Sequence, residues 1–189
     1  MIDSLIQRLS DYSADALPED HSHRQQAAVL IPVVTESEPM VVLTQRASSL
    51  GSHANEVAWP GGKQDPEDAS LMTTALRESH EEIGLHPDHV RVVAELRPFV
   101  SKFGLLVTPF VGVVERSVEL QANPDELDAI FRVPLSYFHG DPRSRTDVIS
   151  RHGETHKVPA YIYDGFEIWG LTAMILREFL NAGLDSGIR

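Results

Sequence analysis

A chain of 189 residues that is 42% hydrophobic and 23% charged is sized for one globular domain with a real core and is cramped for two. Its formal net charge of −12 repels a polyphosphate backbone and argues against sequence-independent binding to DNA or RNA, yet a small phosphorylated ligand remains possible where divalent cations reverse the local field. The absence of cysteine excludes disulfides, thiolate metal sites and cysteine nucleophiles, and suits a reducing cytosol.

Ile2, Leu5, Ile6 and Leu9 recur at helical spacing, predicting an amphipathic helix over 2–13 that Pro18 and the polar stretch to Gln26 bring to an end. Residues 1–26 are therefore assigned to an accessory helix and linker, and 27–189 to a single domain. Asp3, Arg8, Asp11 and Asp15 interrupt the apolar residues of this first segment, so no secretion signal is expected and a cytoplasmic location is. Ala27 to Val34, the longest apolar run, falls far short of the roughly 20 residues of a membrane helix, and no membrane partner is expected. That run and Met40 to Gln45 read as a hairpin or adjacent strands around the polar turn from Thr35 to Pro39. Residues 47–67, rich in glycine, proline and small polar residues, read as a structured loop.

The clearest helix is 68–83, with Asp68 or Ser70 as its N-cap and Gly84 placed to take the left-handed conformation beyond its end. Strands are predicted over 90–99, 105–114 and 129–133, the last running into Pro134 to Phe138, followed by a pair near 146–150 and 157–163 and a helix over 169–180. Many strands interleaved with few helices suggest an α/β domain in which a mixed sheet is sandwiched between helices.

At 100° per residue, Leu71, Met72, Ala75, Leu76 and Ile83 form one apolar face of the 68–83 helix, and Glu78, Glu81 and Glu82 an adjoining arc. Three carboxylates at i, i+3 and i+4 are close neighbours predicted to converge. Each such like-charge pair costs roughly 0.2–0.5 kcal/mol, and the negative pole of the helix adds roughly 0.3–1 kcal/mol per charge. A hard, oxygen-seeking cation such as Mg²⁺ or Mn²⁺ would relieve both. Alone, E-x-x-E-E is a weak signal and reads more readily as a solvated acidic face. Arg77, Gly84 and the upstream Pro60-Gly61-Gly62 sharpen the metal reading, because glycine lets backbone approach a metal or phosphate closely, although the same glycines also suit an ordinary tight turn.

The segment Gly62 to Leu85, GKQDPEDASLMTTALRESHEEIGL, resembles the Nudix box G-x5-E-x7-R-E-U-x-E-E-x-G-U. Asp68 replaces the first glutamate, one extra residue precedes Arg77, and Ser79 stands where an apolar residue is usual, free to pack as a small residue or to bond the carbonyl four residues earlier. The extra residue resembles the coenzyme A diphosphatase subgroup, as does Leu43 to Gly62, LTQRASSLGSHANEVAWPGG. There Trp59 replaces a phenylalanine and Asn55 a glycine, asparagine being a residue that tolerates positive φ. The runs TPFVGVV at Thr108, Asn123 to Glu126, VPLSYF at Val133 and IWGLTA at Ile168 extend the resemblance over about 27–180.

The resemblance implies a Nudix-type α/β/α sandwich with a mixed β-sheet, and Mg²⁺ or Mn²⁺ held by Glu78, Glu81 and Glu82 with the Gly62 carbonyl. Arg77 would brace a carboxylate, and the general base would be Glu82, Glu78 or the loop acid Glu126, the box being favoured. Arg46 and Lys63 either bind phosphate or are surface charges. His53 either contacts substrate or holds its loop, and Trp169 reads as core. The implied reaction is cleavage of coenzyme A or acyl-coenzyme A into 4′-phosphopantetheine species and adenosine 3′,5′-bisphosphate. The alternatives are another nucleoside diphosphate derivative (ADP-ribose, NADH or a dinucleoside polyphosphate) or a non-catalytic nucleotide-binding protein. A homodimer is compatible with all of these.

Overall fold

A computed structural model of the chain describes residues 2–14, 21, 23–35, 38–51, 53–115, 118–151 and 154–184. Residues 15–20 and 22 of the linker expected within 1–26, Glu36 and Ser37 of the first turn, and Ser52 lie outside the described residues.

Strand β1 (Gln26–Thr35) is the centre of the molecule. Ala27, Ile31 and Val33 enter one core and Ala28, Leu30 and Val34 the other, which is why its sequence is a continuous apolar run rather than an alternating one. It pairs in parallel along its whole length with β7 (Leu106–Glu115), and antiparallel with β2 (Met40–Arg46) only at Val33↔Val41 and Val34↔Met40. Below that point β1 and β2 diverge. The chain that follows β2 enters the gap as two short strands, β3 (Val57–Ala58) on the β2 side and β4 (Gly61–Lys63) on the β1 side. This is a correction to the loop expected over 47–67: strands of two and three residues are too short to show a period in sequence.

Antiparallel β5 (Val90–Glu95) and β6 (Phe99–Val100) flank β7, and β8 (Leu127–Pro134) takes the outer edge of β2, completing a mixed sheet. A separate three-stranded sheet comprises β9 (Arg145–Arg151), β10 (Glu154–Tyr163) and β11 (Phe166–Ile168), the last unpredicted because it too is only three residues long.

Helix α1 (Ile2–Ser10) buries Leu5 and Leu9 against α3 (Gly170–Leu184), where Gly183 has no side chain to obstruct Leu5. Both lie on the first core; α2 (Leu71–Ile83) covers the second. The result is a helix–sheet–helix sandwich. Two sequence expectations are corrected. Met72 is 42% exposed, since the buried face of α2 is narrower than the apolar arc and centres on Ala75, Ser79 and Ile83. Trp169 is 40% exposed rather than core, and its indole N–H donates to Asp147 Oδ2 at 2.7 Å. Among the described residues no helix is long and apolar enough to cross a membrane.

Candidate active site

Helix α2 is fixed at both ends. Ser70 Oγ accepts the Thr73 N–H at 3.1 Å, and Gly84, at φ 68°, donates its N–H to the carbonyls of His80 and Ser79. Midway, buried Ser79 donates its hydroxyl to the Ala75 carbonyl at 2.7 Å, so the polar residue on the core side is satisfied inside the helix.

Asp68 therefore serves another purpose than capping. Its side chain, 4% exposed, accepts from Arg77 Nε and Nη2, both at 3.0 Å, and from Thr74 Oγ1 at 2.9 Å. The hydrogen bonds from Arg77 hold its carboxyl down to about 2 against the opposing effect of burial. Arg77 Nη1 reaches Glu78 Oε1 at 3.0 Å and Glu81 at 3.3 Å, and its Nη2 reaches the Lys63 carbonyl at 3.3 Å. One guanidinium thus ties the loop before α2, the helix and β4 together.

The three glutamates do not meet at one point. Glu81 stays on the solvent side beside Arg77, while Glu78 and Glu82 turn inward to the backbone of β4. Glu82 is 4% exposed, and its Oε2 accepts the Gly61 N–H at 3.0 Å. Burial pushes its carboxyl up to about 7, aided by repulsion from Glu126 and Glu78 and opposed by the Gly61 bond and Arg46. Glu78 is likewise raised, by burial first, with Arg77 opposing.

The glycines explain how carboxylates come so close to a strand. A Cβ on Gly62 would lie within 2.5 Å of the Glu78 carboxylate, and one on Gly61, at φ 153°, would strike the Ala28 carbonyl. Any side chain at 62 would displace Glu78.

As placed, no three His, Asp or Glu side chains among the described residues are gathered into a metal cage. The donor chemistry nevertheless fits a hard cation: two desolvated carboxylates sit against a glycine backbone with Glu81 and Glu126 nearby. Magnesium typically binds through one or two carboxylates and completes its shell with water and substrate oxygens.

Arg46, at the end of β2, places Nη1 4.0 Å from Glu82 Oε1, and its buried Nε has no hydrogen-bond partner. Glu126 Oε1 accepts from Asn123 Nδ2 at 3.1 Å, while the Asn123 amide donates to the Glu82 carbonyl at 2.8 Å, which brings the loop acid beside α2. His53 Nδ1 lies 2.5 Å from Glu56 Oε2. His53 and Asn55 both take positive φ, 58° and 61°, so asparagine holds the loop shape expected of it. Lys63 is exposed at the rim of a cavity beside β4.

Sequence reasoning missed the Gly61 amide that anchors Glu82 and the turn 101–104, whose Phe103 faces His53 edge-on at 4.9 Å. Pro60-Gly61-Gly62 signalled the first; nothing in the sequence signalled the second.

Residues 24–151 match the NUDIX domain family. The chain is 42% identical over 167 residues to an uncharacterized Nudix hydrolase NudL of Citrobacter koseri, covering 88% of this chain and 85% of that protein. It is also 42% identical over 156 residues to the like-named protein of Photorhabdus laumondii, covering 82% and 83% respectively. Among solved structures, a MutT/nudix family protein from Enterococcus faecalis superposes with a TM-score of 0.54 at 15% identity, covering 98% of this chain and 70% of that one. A C. elegans Ap4A hydrolase binary complex gives 0.50 at 18% identity, covering 60% and 82%. These structural likenesses speak to fold alone.

Proposed function

This chain belongs to the NUDIX domain family, whose members are pyrophosphohydrolases of nucleoside diphosphate derivatives, and on that premise we propose that its substrate is coenzyme A or an acyl ester of coenzyme A. The products are 4′-phosphopantetheine, or its acyl form, and adenosine 3′,5′-bisphosphate. One observation carries the proposal. The two distant segments that resemble the coenzyme A subgroup, 43–62 and 168–173, are joined at the site: the Trp59 indole N–H donates to the Thr172 carbonyl at 3.1 Å, and Thr172 Oγ1 donates to the Val57 carbonyl at 2.9 Å. That contact supports the reading, because a resemblance spread along the chain would carry less weight if its parts lay apart.

Nudix hydrolases generally use divalent ions such as Mg²⁺ or Mn²⁺, and in this reading Glu78, Glu82 and Glu81 hold the ion with the Gly62 carbonyl. The ion supplies charge neutralisation of the diphosphate and acidifies the attacking water. The chain's own groups do the rest. Glu82 or Glu78 accepts the water's proton, with Glu126 as the loop alternative. Arg46 offers a guanidinium fork to phosphate oxygens, and Arg77 orients Glu78 without touching substrate. Lys63 and His53 stand at the rim as candidate substrate contacts.

A substrate panel in Mg²⁺ tests this, with coenzyme A, acetyl-coenzyme A, ADP-ribose, NADH and diadenosine polyphosphates compared by kcat/KM and products identified by mass. Coenzyme A or its acetyl ester ranking first supports the proposal; a dinucleoside polyphosphate or ADP-ribose ranking first overturns it.

A further inference from the structure

On the face of β4 opposite α2 lies an open cavity of about 220 Å³. Its floor is Ala27, Val29 and Val107 of the sheet, and its far wall is Leu171 and Ile175 of α3. Gly61 and Gly62 form its near wall, and the same two residues touch Glu82 and Glu78 on the other side. Only the glycine backbone of β4 separates a molecule lodged here from the two carboxylates.

The cavity offers few hydrogen bonds. The hydroxyl of Thr172 is bonded to Val57, that of Ser101 accepts the Leu105 N–H at 3.0 Å, and His53 is engaged with Glu56. Among the described residues of its lining, Lys63 is the only lysine or arginine. A nucleobase would find few partners for its polar edges on these largely apolar walls.

The open side is built rather than incidental. Residues 101–104 form a tight turn closed by the Gly104 N–H on the Ser101 carbonyl at 3.0 Å, with Gly104 at φ 83°. It projects Phe103, 66% exposed, over the cavity. The turn is clasped to the 47–56 loop by Lys102 Nζ on Glu56 Oε1 at 3.3 Å and by the edge-on packing of His53 on Phe103. An aromatic ring that exposed contributes little to the core, but it gains apolar contact once a chain passes beneath it.

We propose that this cavity receives the neutral, non-nucleotide arm of the diphosphate substrate, the pantetheine or S-acyl end, with Phe103 as a specificity-determining residue. The nucleotide half then lies on the other side of the scissile diphosphate, where Arg46 is. The inference rests on the diphosphatase reading above.

The test uses the wild-type protein and Phe103→Ala with two readouts. In the first, kcat/KM is measured for coenzyme A, short and long acyl-coenzyme A, and ADP-ribose. The ratio of long acyl-coenzyme A to ADP-ribose is expected to fall roughly five- to twentyfold in the variant, chiefly through KM. In the second, S-octanoyl pantetheine, which has neither diphosphate nor nucleoside, is expected to inhibit the wild type competitively and the variant more weakly. Equal change on all substrates, or no change on any, overturns the inference, as does a variant that loses inhibition by adenosine 3′,5′-bisphosphate instead. A wild type that cleaves ADP-ribose but not coenzyme A, and still binds the probe through Phe103, refutes the coenzyme A reading alone. If the probe does not bind, the pocket assignment falls as well.

Discussion

Asp68 and Glu82 lie at opposite ends of one helix, each almost fully buried, and their environments drive them in opposite directions. Asp68 is met by the guanidinium of Arg77 and held near 2. Glu82 is met by one backbone amide and, at 4.0 Å, by Arg46, is repelled by two other carboxylates, and with burial dominating rises to about 7. The first is a satisfied pair that stiffens the entry to α2. The second is a carboxylate kept out of water with too little to balance its charge, an arrangement that stability alone does not favour and that chemistry at a bound cation uses.

The largest effect expected to separate the two is on turnover. Glu82→Gln keeps the shape and an oxygen for Gly61 but removes the charge, so kcat with Mg²⁺ should fall roughly a hundred- to ten-thousandfold. Metal-free stability should be close to wild type below pH 4.5 and higher by about 1–3 kcal/mol near pH 7, as a buried ionised carboxylate is removed. Steady-state kinetics and urea titration read the two halves. Near-normal turnover would show that Glu82 is not in the reaction, and a large stability loss would make it structural.

Asp68→Asn should reverse that pattern. With Arg77 deprived of its bidentate partner but still paired with Glu78 and Glu81, stability should fall by about 1–2 kcal/mol, with activity lost only as far as α2 shifts against β4. An unchanged melting curve would sink the division between the two carboxylates.

The pH dependence of metal-free stability sharpens it further. The folded state binds the Glu82 proton more tightly than the unfolded chain does, so stability should decline as pH rises from the ordinary carboxylate value of 4.5 toward about 7. The decline should be of order 1–3 kcal/mol and should flatten in Glu82→Gln. Asp68 acts with the opposite sign, its contribution being present above 3.8 and lost as pH falls toward about 2. A wild-type curve that rises between pH 5 and 7 contradicts the burial of Glu82.

The smallest effect concerns Ser79, a polar residue on the buried face of α2. The acceptor of Ser79 is a helical carbonyl already engaged by its own ladder. Ser79→Ala should therefore change stability by no more than about 1 kcal/mol.

These contrasts also mark what could be read from sequence. The Gly84 cap and the positive φ of Asn55 are local, set by residues within a turn of one another, and are legible in the sequence, while the Ser70 cap and the inward bond of Ser79 are each one of two local alternatives it offers. The convergence of Glu78, Glu81 and Glu82 was overdrawn. Helical spacing gives directions, but which carboxylate turns to β4 and which to Arg77 depends on a strand more than ten residues upstream that is too short to show a period. Met72 and Trp169 were misplaced for a related reason: an apolar side chain at the right angle is buried only where something covers it. Phe103 was invisible, since its meaning comes from a cavity formed by β1, β4, β7 and α3 together.

The central claim, that this active site cleaves the diphosphate of coenzyme A, is tested most directly by kcat/KM for coenzyme A, dephospho-coenzyme A and ADP-ribose under one Mg²⁺ concentration. Coenzyme A alone carries a 3′-phosphate, and a charge-assisted hydrogen bond to it is worth roughly 1.5–3 kcal/mol. The account expects coenzyme A to exceed dephospho-coenzyme A by about ten- to a hundredfold and to exceed ADP-ribose as well. Equal values for all three would show that the 3′-phosphate is not read and would contradict the coenzyme A assignment.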